Sequence, residues 1–315
     1  MWFKQIQIFS LTSPIKWDPQ AIEQQLESFA FTPCLPHLFT SMGWVPPCGD
    51  DEFSPLVQSI PDYHMICCQF EEKILPASVI QQALHDKVKQ MTAEQPSKKI
   101  PAKEKQHIKE AITQALLPRA FTKITRVFAY IDTKQQQLIV NTIHGQRTEQ
   151  LMGLFQRSME QKITALPHKK MAPIMTRWLS NNQCPRDLLI EKACLLQDPQ
   201  QQHRLIRCQE QDLFADSIQA LIRERCEVKQ LALSWKDQVH FVLADDLSLR
   251  SLHFDDEILT AAKEEQCETA EMQFRTDFVL MTGILNSLIT QLIRTFLSVD
   301  KASVPSSLEP KLEVA

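Results

Sequence analysis

The residues with the strongest claim to chemistry lie between positions 61 and 126. Pro61-Asp62 followed by Glu71-Glu72-Lys73 fits a loose nuclease pattern, in which Asp62 and Glu71 would hold Mg²⁺ and Lys73 would help to activate water. That pattern is short and permissive, and Glu-Glu-Lys ahead of a helix N-terminus is ordinary helix chemistry. Charge gives the second signal. From Lys73 to Arg126, eleven Lys/Arg face four acids, a net of +7 in a chain whose total is −4. The cations gather at Lys98, Lys99, Lys103 and Lys105 and recur at Lys109, Arg119, Lys123 and Arg126. A projecting basic loop follows a phosphate backbone well, because each neutralised phosphate releases counterions. No recognition helix rich in Asn, Gln and Arg accompanies these lysines, so such a surface would bind DNA without reading its sequence. The plainer alternative is a solvated helix face. Phe121, an apolar ring among basic neighbours, reads either as an exposed tip residue or as a core residue opening a strand.

Other chemistries find little support. Only five glycines occur, none in a phosphate-cradling arrangement, which argues against Rossmann or P-loop nucleotide chemistry. The nine histidines are scattered and make no HExxH, and no G-x-S-x-G elbow is present. Nine cysteines at irregular spacing, without a Cys-x-x-Cys, read as reduced small hydrophobes rather than zinc ligands. Between Asp245 and Asp277 ten acids face Arg250, Lys263 and Arg275, a net of −7; Asp245-Asp246 and Asp255-Asp256-Glu257 fit turn and N-cap roles. No metal and no cofactor are expected, and the chain is not expected to be an enzyme. Without a secretory signal or an apolar run near the ~18 residues of a membrane span, the expected compartment is the cytoplasm, with no membrane partner.

The elements that must position these residues follow from periodicity. Residues 2–9 alternate as a strand, and Asp18-Pro19 opens a helix to about Phe29. Residues 31–61 carry six of the eighteen prolines and read as an irregular loop layer. Tyr63–Phe70 is a strand. Pro76 opens a helix with Val79, Ile80, Ala83, Leu84, Val88 and Met91 on one face; residues 92–103 connect it to a second helix over Glu104–Leu117. Phe121–Ile131 and Gln137–Ile143 form a hairpin, followed by a helix over about 146–160. Within 165–211 helical pieces fit near 171–180 and 186–196. A helix over Asp212–Cys226, three strands (Lys229–Trp235, Gln238–Ala244, Ser248–Phe254) and a helix from about Cys267 to Leu297 complete the order, with a disordered tail from Asp300. Strands and helices mix without βαβ alternation, which is an α+β class with antiparallel sheets.

Several strings resemble a known family. Met1-Trp2-Phe3-Lys4, Phe31-Thr32-Pro33-Cys34 and Met42-Gly43-Trp44-Val45-Pro46-Pro47 are similar to the start of the bacterial recombination-associated RdgC family. Glu71-Glu72-Lys73-Ile74-Leu75-Pro76, Leu116-Leu117-Pro118-Arg119-Ala120-Phe121, Leu231-Ala232-Leu233-Ser234-Trp235 and Asp277-Phe278-Val279-Leu280-Met281-Thr282-Gly283 continue the resemblance in order, to about residue 297. The resemblance implies a horseshoe-shaped subunit that dimerises into a closed ring around double-stranded DNA, binds it without sequence specificity and restrains a RecA-type recombinase. It implies a nucleoid-associated homodimer, with Phe121 at the dimer interface and Lys98, Lys99, Lys103, Lys105, Lys109, Arg119, Lys123 and Arg126 on DNA. The expected division is a central region of residues 1–75 with 132–180, a basic tip of 76–131, a C-terminal region of 181–299 and a tail of 300–315. Gln209-Glu210 depart from the family, whose relatives tend to carry lysine there; the basic set Lys162, Lys169, Lys170 and Arg177 is a candidate substitute. The rival readings are a Mg²⁺-dependent nuclease using Asp62, Glu71 and Lys73, and a module whose basic loop docks an acidic protein.

Overall fold

The computed structural model describes residues 1–13, 19–49, 54–94, 100–166, 171–200, 203–264 and 269–298. Within them the fold is α+β, with two antiparallel sheets and eight α-helices. The first sheet contains β1 (Gln7–Leu11), β2 (Thr40–Val45), β3 (Val57–Ile60), β4 (Tyr63–Ile74), β5 (Phe121–Asp132), β6 (Gln137–Val140) and β7 (Ile163–Ala165). Its order is β2-β4-β5-β6-β1-β7, with β3 also on β4. The second contains β8 (Leu188–Gln197), β9 (Leu205–Cys208), β10 (Glu227–Trp235), β11 (Val239–Ala244) and β12 (Leu249–Phe254), ordered β12-β11-β10-β8-β9.

β4 is buried without alternation from His64 to Phe70 because both its faces are covered there. One face carries Ile66, Cys68 and Phe70 into a core with α1 (Pro19–Glu27) and α4 (Gly145–Met159). Trp44 Nε1 donates to Ser158 Oγ at 2.8 Å and fastens β2 to α4. The opposite face puts Met65 and Tyr130 against α8 (Ala270–Ser298), which also packs on the second sheet. There Trp235 Nε1 donates to Gln291 Oε1 at 2.8 Å. α8 is long and apolar enough to cross a membrane by length and composition, yet Phe278, Met281, Leu285, Leu288 and Leu292 are spent on this shared core. α5 (Met171–Asn181) and α6 (Asp216–Arg223) cover the same side of the second sheet.

Several expectations need correction. The loop layer at 31–61 holds β2 and β3; Pro33, Pro36, Pro46, Pro47, Pro55 and Pro61 fall between and beside the strands, so proline density marks their ends. The first strand is β1, beginning at Gln7, while Phe3 enters the core and Trp2 packs on Phe254 with ring centroids 4.7 Å apart. The helical piece near 186–196 is β8, whose pairing with β10 shifts register twice and so loses the strand's period of two. The helix over 212–226 starts only at Asp216, because Asp212 Oδ1 accepts the Phe214 N–H in a preceding turn. An unanticipated α7 (Asp256–Glu264) precedes α8, and Asp255 Oδ1 accepts the Glu257 N–H at its start. The expected cap Asp18, the start at Cys267 and the tail from Asp300 lie outside the described residues.

Candidate nucleic-acid interface

The basic segment forms one excursion from the first sheet. β4 and β5 pair along their whole length, from Tyr63 with Asp132 to Ile74 with Phe121. Everything between Ile74 and Phe121 therefore leaves and rejoins the sheet at one point. Its described residues form α2 (Ala77–Glu94), α3 (Ala102–Leu116) and the 3₁₀ turn Leu117–Arg119. Neither α2 nor α3 contains a buried residue, and the main packing partner of each is the other. Their half-buried Leu84, Val88, Ile108 and Ile112 make a minimal two-helix seam. Lys103, Lys105, Lys109 and Arg119 are carried on this projecting element, whereas Lys123 and Arg126 stand on β5.

Lys103 and Lys105 are exposed and Lys109 is half-buried on α3; Arg119, Lys123 and Arg126 are exposed. Lys105 and Lys109, four residues apart, share one side of α3. Lys123 and Arg126 do not share a face. Lys123 stands opposite Glu72 on the side of α1 and α4, where Arg147 Nη2 reaches Glu72 Oε2 at 3.6 Å. Arg126 projects from the other side, and its Nε donates to Gln69 Oε1 at 3.0 Å. Burial pushes the neighbouring Cys67 thiol up, and the Arg126 charge draws it partly back. Lys98 and Lys99 lie outside the described residues. Of the substitute set, Lys162 and Arg177 are exposed, and Lys169 and Lys170 lie outside the described residues. Gln209 and Glu210 are exposed, with Glu210 at φ 52° in the bend that follows β9.

Phe121 is 85% exposed, which removes the core reading of its ring. It does not stand alone. Ile74, its ladder partner, shares its face; Ile124, three residues on, projects from the opposite face, and Leu35, Leu38 and Phe39 are exposed on the loop held by Lys73. Lys73 holds that loop: its backbone N–H donates to Phe39 O at 2.8 Å, and its Nζ to Pro36 O at 2.6 Å. The exposed loop residues were present in the sequence as Leu35-Pro36-His37-Leu38-Phe39, where three large apolar residues lie in a proline-containing loop.

The nuclease constellation does not assemble. Asp62 sits in the turn before β4 and Glu71 near the strand's far end, nine residues and so roughly 30 Å apart. Glu71 accepts the Cys34 N–H at 2.7 Å, and Lys73 Nζ is occupied by loop carbonyls. Among the described residues no three His, Cys, Asp or Glu side chains converge as metal ligands.

The family model described as "Putative exonuclease, RdgC" matches residues 1–299. The chain belongs to the RdgC family. Among similar RdgC sequences, the recombination-associated protein RdgC of Tolumonas auensis is 33% identical over 296 residues, covering 93% of this chain and 97% of the relative. That of Proteus mirabilis is 33% identical over the same length, with the same coverage. The Pseudomonas fluorescens RdgC is 34% identical over 287 residues, covering 89% of this chain and 92% of the relative. The match to the family model spans β4, the α2–α3 excursion and α8 alike.

Proposed function

We propose that this chain binds double-stranded DNA without sequence specificity, as a homodimeric ring that limits the access of a RecA-type recombinase. The observation that carries the reading is the excursion between Ile74 and Phe121: two helices with no buried residue, presenting Lys103, Lys105 and Arg119 to solvent. A cationic element free of the core gains by counterion release on a polyanion, and costs the fold little. The relatives' printed role in recombination supports DNA as that polyanion. The exposed Phe121 and its ladder partner Ile74, which share one face at the end of the ladder, support self-association there, since exposed apolar surface marks interaction sites. The reading implies a nucleoid-associated protein of the cytoplasm and assigns it no catalytic step.

Fluorescence anisotropy on unrelated duplexes over a salt series tests it. Affinities should agree across sequences and fall as a power of salt concentration, and Lys103→Glu with Lys105→Glu should weaken every duplex at least about tenfold with a shallower slope. Strong preference for one sequence, or unchanged affinity in the double variant, sinks the assignment. Incubating linear and plasmid DNA with protein and Mg²⁺ tests the non-enzymatic part; degradation lost in Glu71→Ala would overturn it.

A further inference from the structure

The β11–β12 register brings together two histidines that the sequence keeps apart. His240 and His253 are direct cross-strand partners. Val239, Phe241, Leu252 and Phe254 face the core of the second sheet, so both imidazoles stand on its other face. There His253 is exposed and His240 half-buried. Opposed residues in an antiparallel ladder have Cα atoms about 4.5–5.5 Å apart. A histidine nitrogen binds Zn²⁺ at about 2.0–2.1 Å, so two such rings can close on one ion by turning their side chains. No short His-to-His spacing announces the pair, because its members come from two strands.

His240 also has the outer contact that orients metal-binding histidines. Its Nδ1 lies 2.5 Å from Glu191 Oε1. Glu191 belongs to β8 and reaches across β10, where the ladder partner of His240 is the small Ser234. With Nδ1–H donating to the carboxylate, the Nε2 lone pair is left to coordinate and its basicity rises. His253 makes no side-chain hydrogen bond among the described residues, so its ring can turn without breaking one. Arg250, the cation on β12, is held by Asp246 Oδ2 at 3.5 Å and by Ser248 Oγ at 3.2 Å. Two opposed histidines contribute little to a ladder by themselves, since protonated rings repel each other.

We propose that His240 and His253 form a binding site for a divalent transition-metal ion of the zinc and copper class, with Glu191 as the residue that positions His240. The ion takes one nitrogen from each ring, and water fills its remaining positions. Imidazole suits Zn²⁺, Cu²⁺ and Ni²⁺, whereas Mg²⁺ and Ca²⁺ take oxygen ligands. Bound there, the ion clips β12, an edge strand of the second sheet, to β11 beside the point where their ladder shifts register. The site stands on the second sheet and the basic excursion on the first, so the proposal does not rest on the DNA reading.

The test strips the full-length protein with EDTA and titrates it with Zn²⁺, Cu²⁺ or Mg²⁺, reading affinity by calorimetry and stability by thermal unfolding. Zn²⁺ and Cu²⁺ should bind at micromolar concentrations and raise Tm by a few degrees, while Mg²⁺ should do neither. Electron paramagnetic resonance of the Cu²⁺ form should show coupling to two imidazole nitrogens. His240→Ala and His253→Ala should each abolish that two-nitrogen signal and weaken binding at least about tenfold, and His107→Ala should change neither. Glu191→Gln keeps both ligands, so affinity should fall about tenfold while the Tm of the metal-free protein stays nearly the same. If His240→Ala does not fold, His253→Ala at its exposed position on the edge strand still decides the matter. Affinity and spectrum unchanged in His253→Ala, or no binding of Zn²⁺ and Cu²⁺ at micromolar concentrations, would overturn the proposal without touching DNA binding. Unchanged affinity in Glu191→Gln would remove the positioning role.

Discussion

His64 shows how a single side chain ties the sheet to pH. Its ring is 6% exposed on β4, and Nδ1 lies 2.9 Å from Ser59 Oγ. Burial lowers its pKa from 6.5 to about 4, because the charged ring would lose its water. The unfolded chain therefore takes up a proton that the folded chain refuses. Stability from this site is complete above about pH 6.5 and falls as pH drops from there toward 4, by roughly 3 kcal/mol at most. Urea unfolding at pH 7 and pH 4.5 should show this loss, and His64→Gln should remove most of the difference between the two. An equal pH dependence in both proteins would show that the ring is protonated in the fold. Residues of this kind were not readable in advance: a histidine inside Tyr-His-Met-Ile looks the same whether its strand has one wet face or none.

At the scale of elements, Gly43 decides how β2 joins the sheet. A Cβ built there would stand 2.4 Å from the Phe31 Cα and 2.6 Å from its nitrogen, where the 30–31 backbone crosses close to the strand. Backbone atoms do not yield as a flexible side-chain tip does, so Gly43→Ala should cost about 2–4 kcal/mol, seen as a lower denaturant midpoint at unchanged slope. A loss below about 0.5 kcal/mol would mean that the 30–31 segment relaxes freely. The glycine was visible in the Met42-Gly43-Trp44 string, but the chain crossing that requires it was not. Local patterns carried α2, α3, α4, β5, β6 and the β10–β12 meander, whose apolar residues recur at one period between clear turn signals. They failed where a bulge breaks the period, as in β8, and where prolines flank short strands, as at β2 and β3. The basic excursion was legible from charge, but the division of Lys123 and Arg126 between opposite faces needed the β5 register. Because Ile74 and Phe121 are ladder partners, residues 76–116 should be removable. Joining Leu75 to Leu117 through a short Gly-Ser linker keeps the buried Leu117 and should lower Tm by only a few degrees, while duplex affinity falls at least about tenfold. Retained affinity would move the DNA contact off α2 and α3.

At the scale of the whole molecule, the two ends of the β4–β5 ladder do different work. Tyr63 and Met65 belong to the core that α8 shares between both sheets, so that end is fixed by burial on every side. The other end finishes in Ile74 and Phe121, with Leu35, Leu38, Phe39 and Ile124 also exposed, and no element of the described chain covers them. Exposed apolar side chains of this size mark a surface that something else covers, and a second copy is the occupant that the dimer proposal requires. Phe121 is the sharpest test because its ring is 85% exposed and contributes almost nothing to the monomer's own core. Phe121→Ser should leave the circular dichroism spectrum and Tm nearly unchanged, while sedimentation velocity shows the self-association constant weakened at least about tenfold, as for a central aromatic anchor. Duplex affinity should then fall at protein concentrations where the variant is monomeric and recover as concentration rises, because a ring needs two copies to close. Unchanged sedimentation would remove Phe121 from the interface. Weakened self-association with unchanged DNA affinity would keep the interface and leave one subunit's cations sufficient for the duplex.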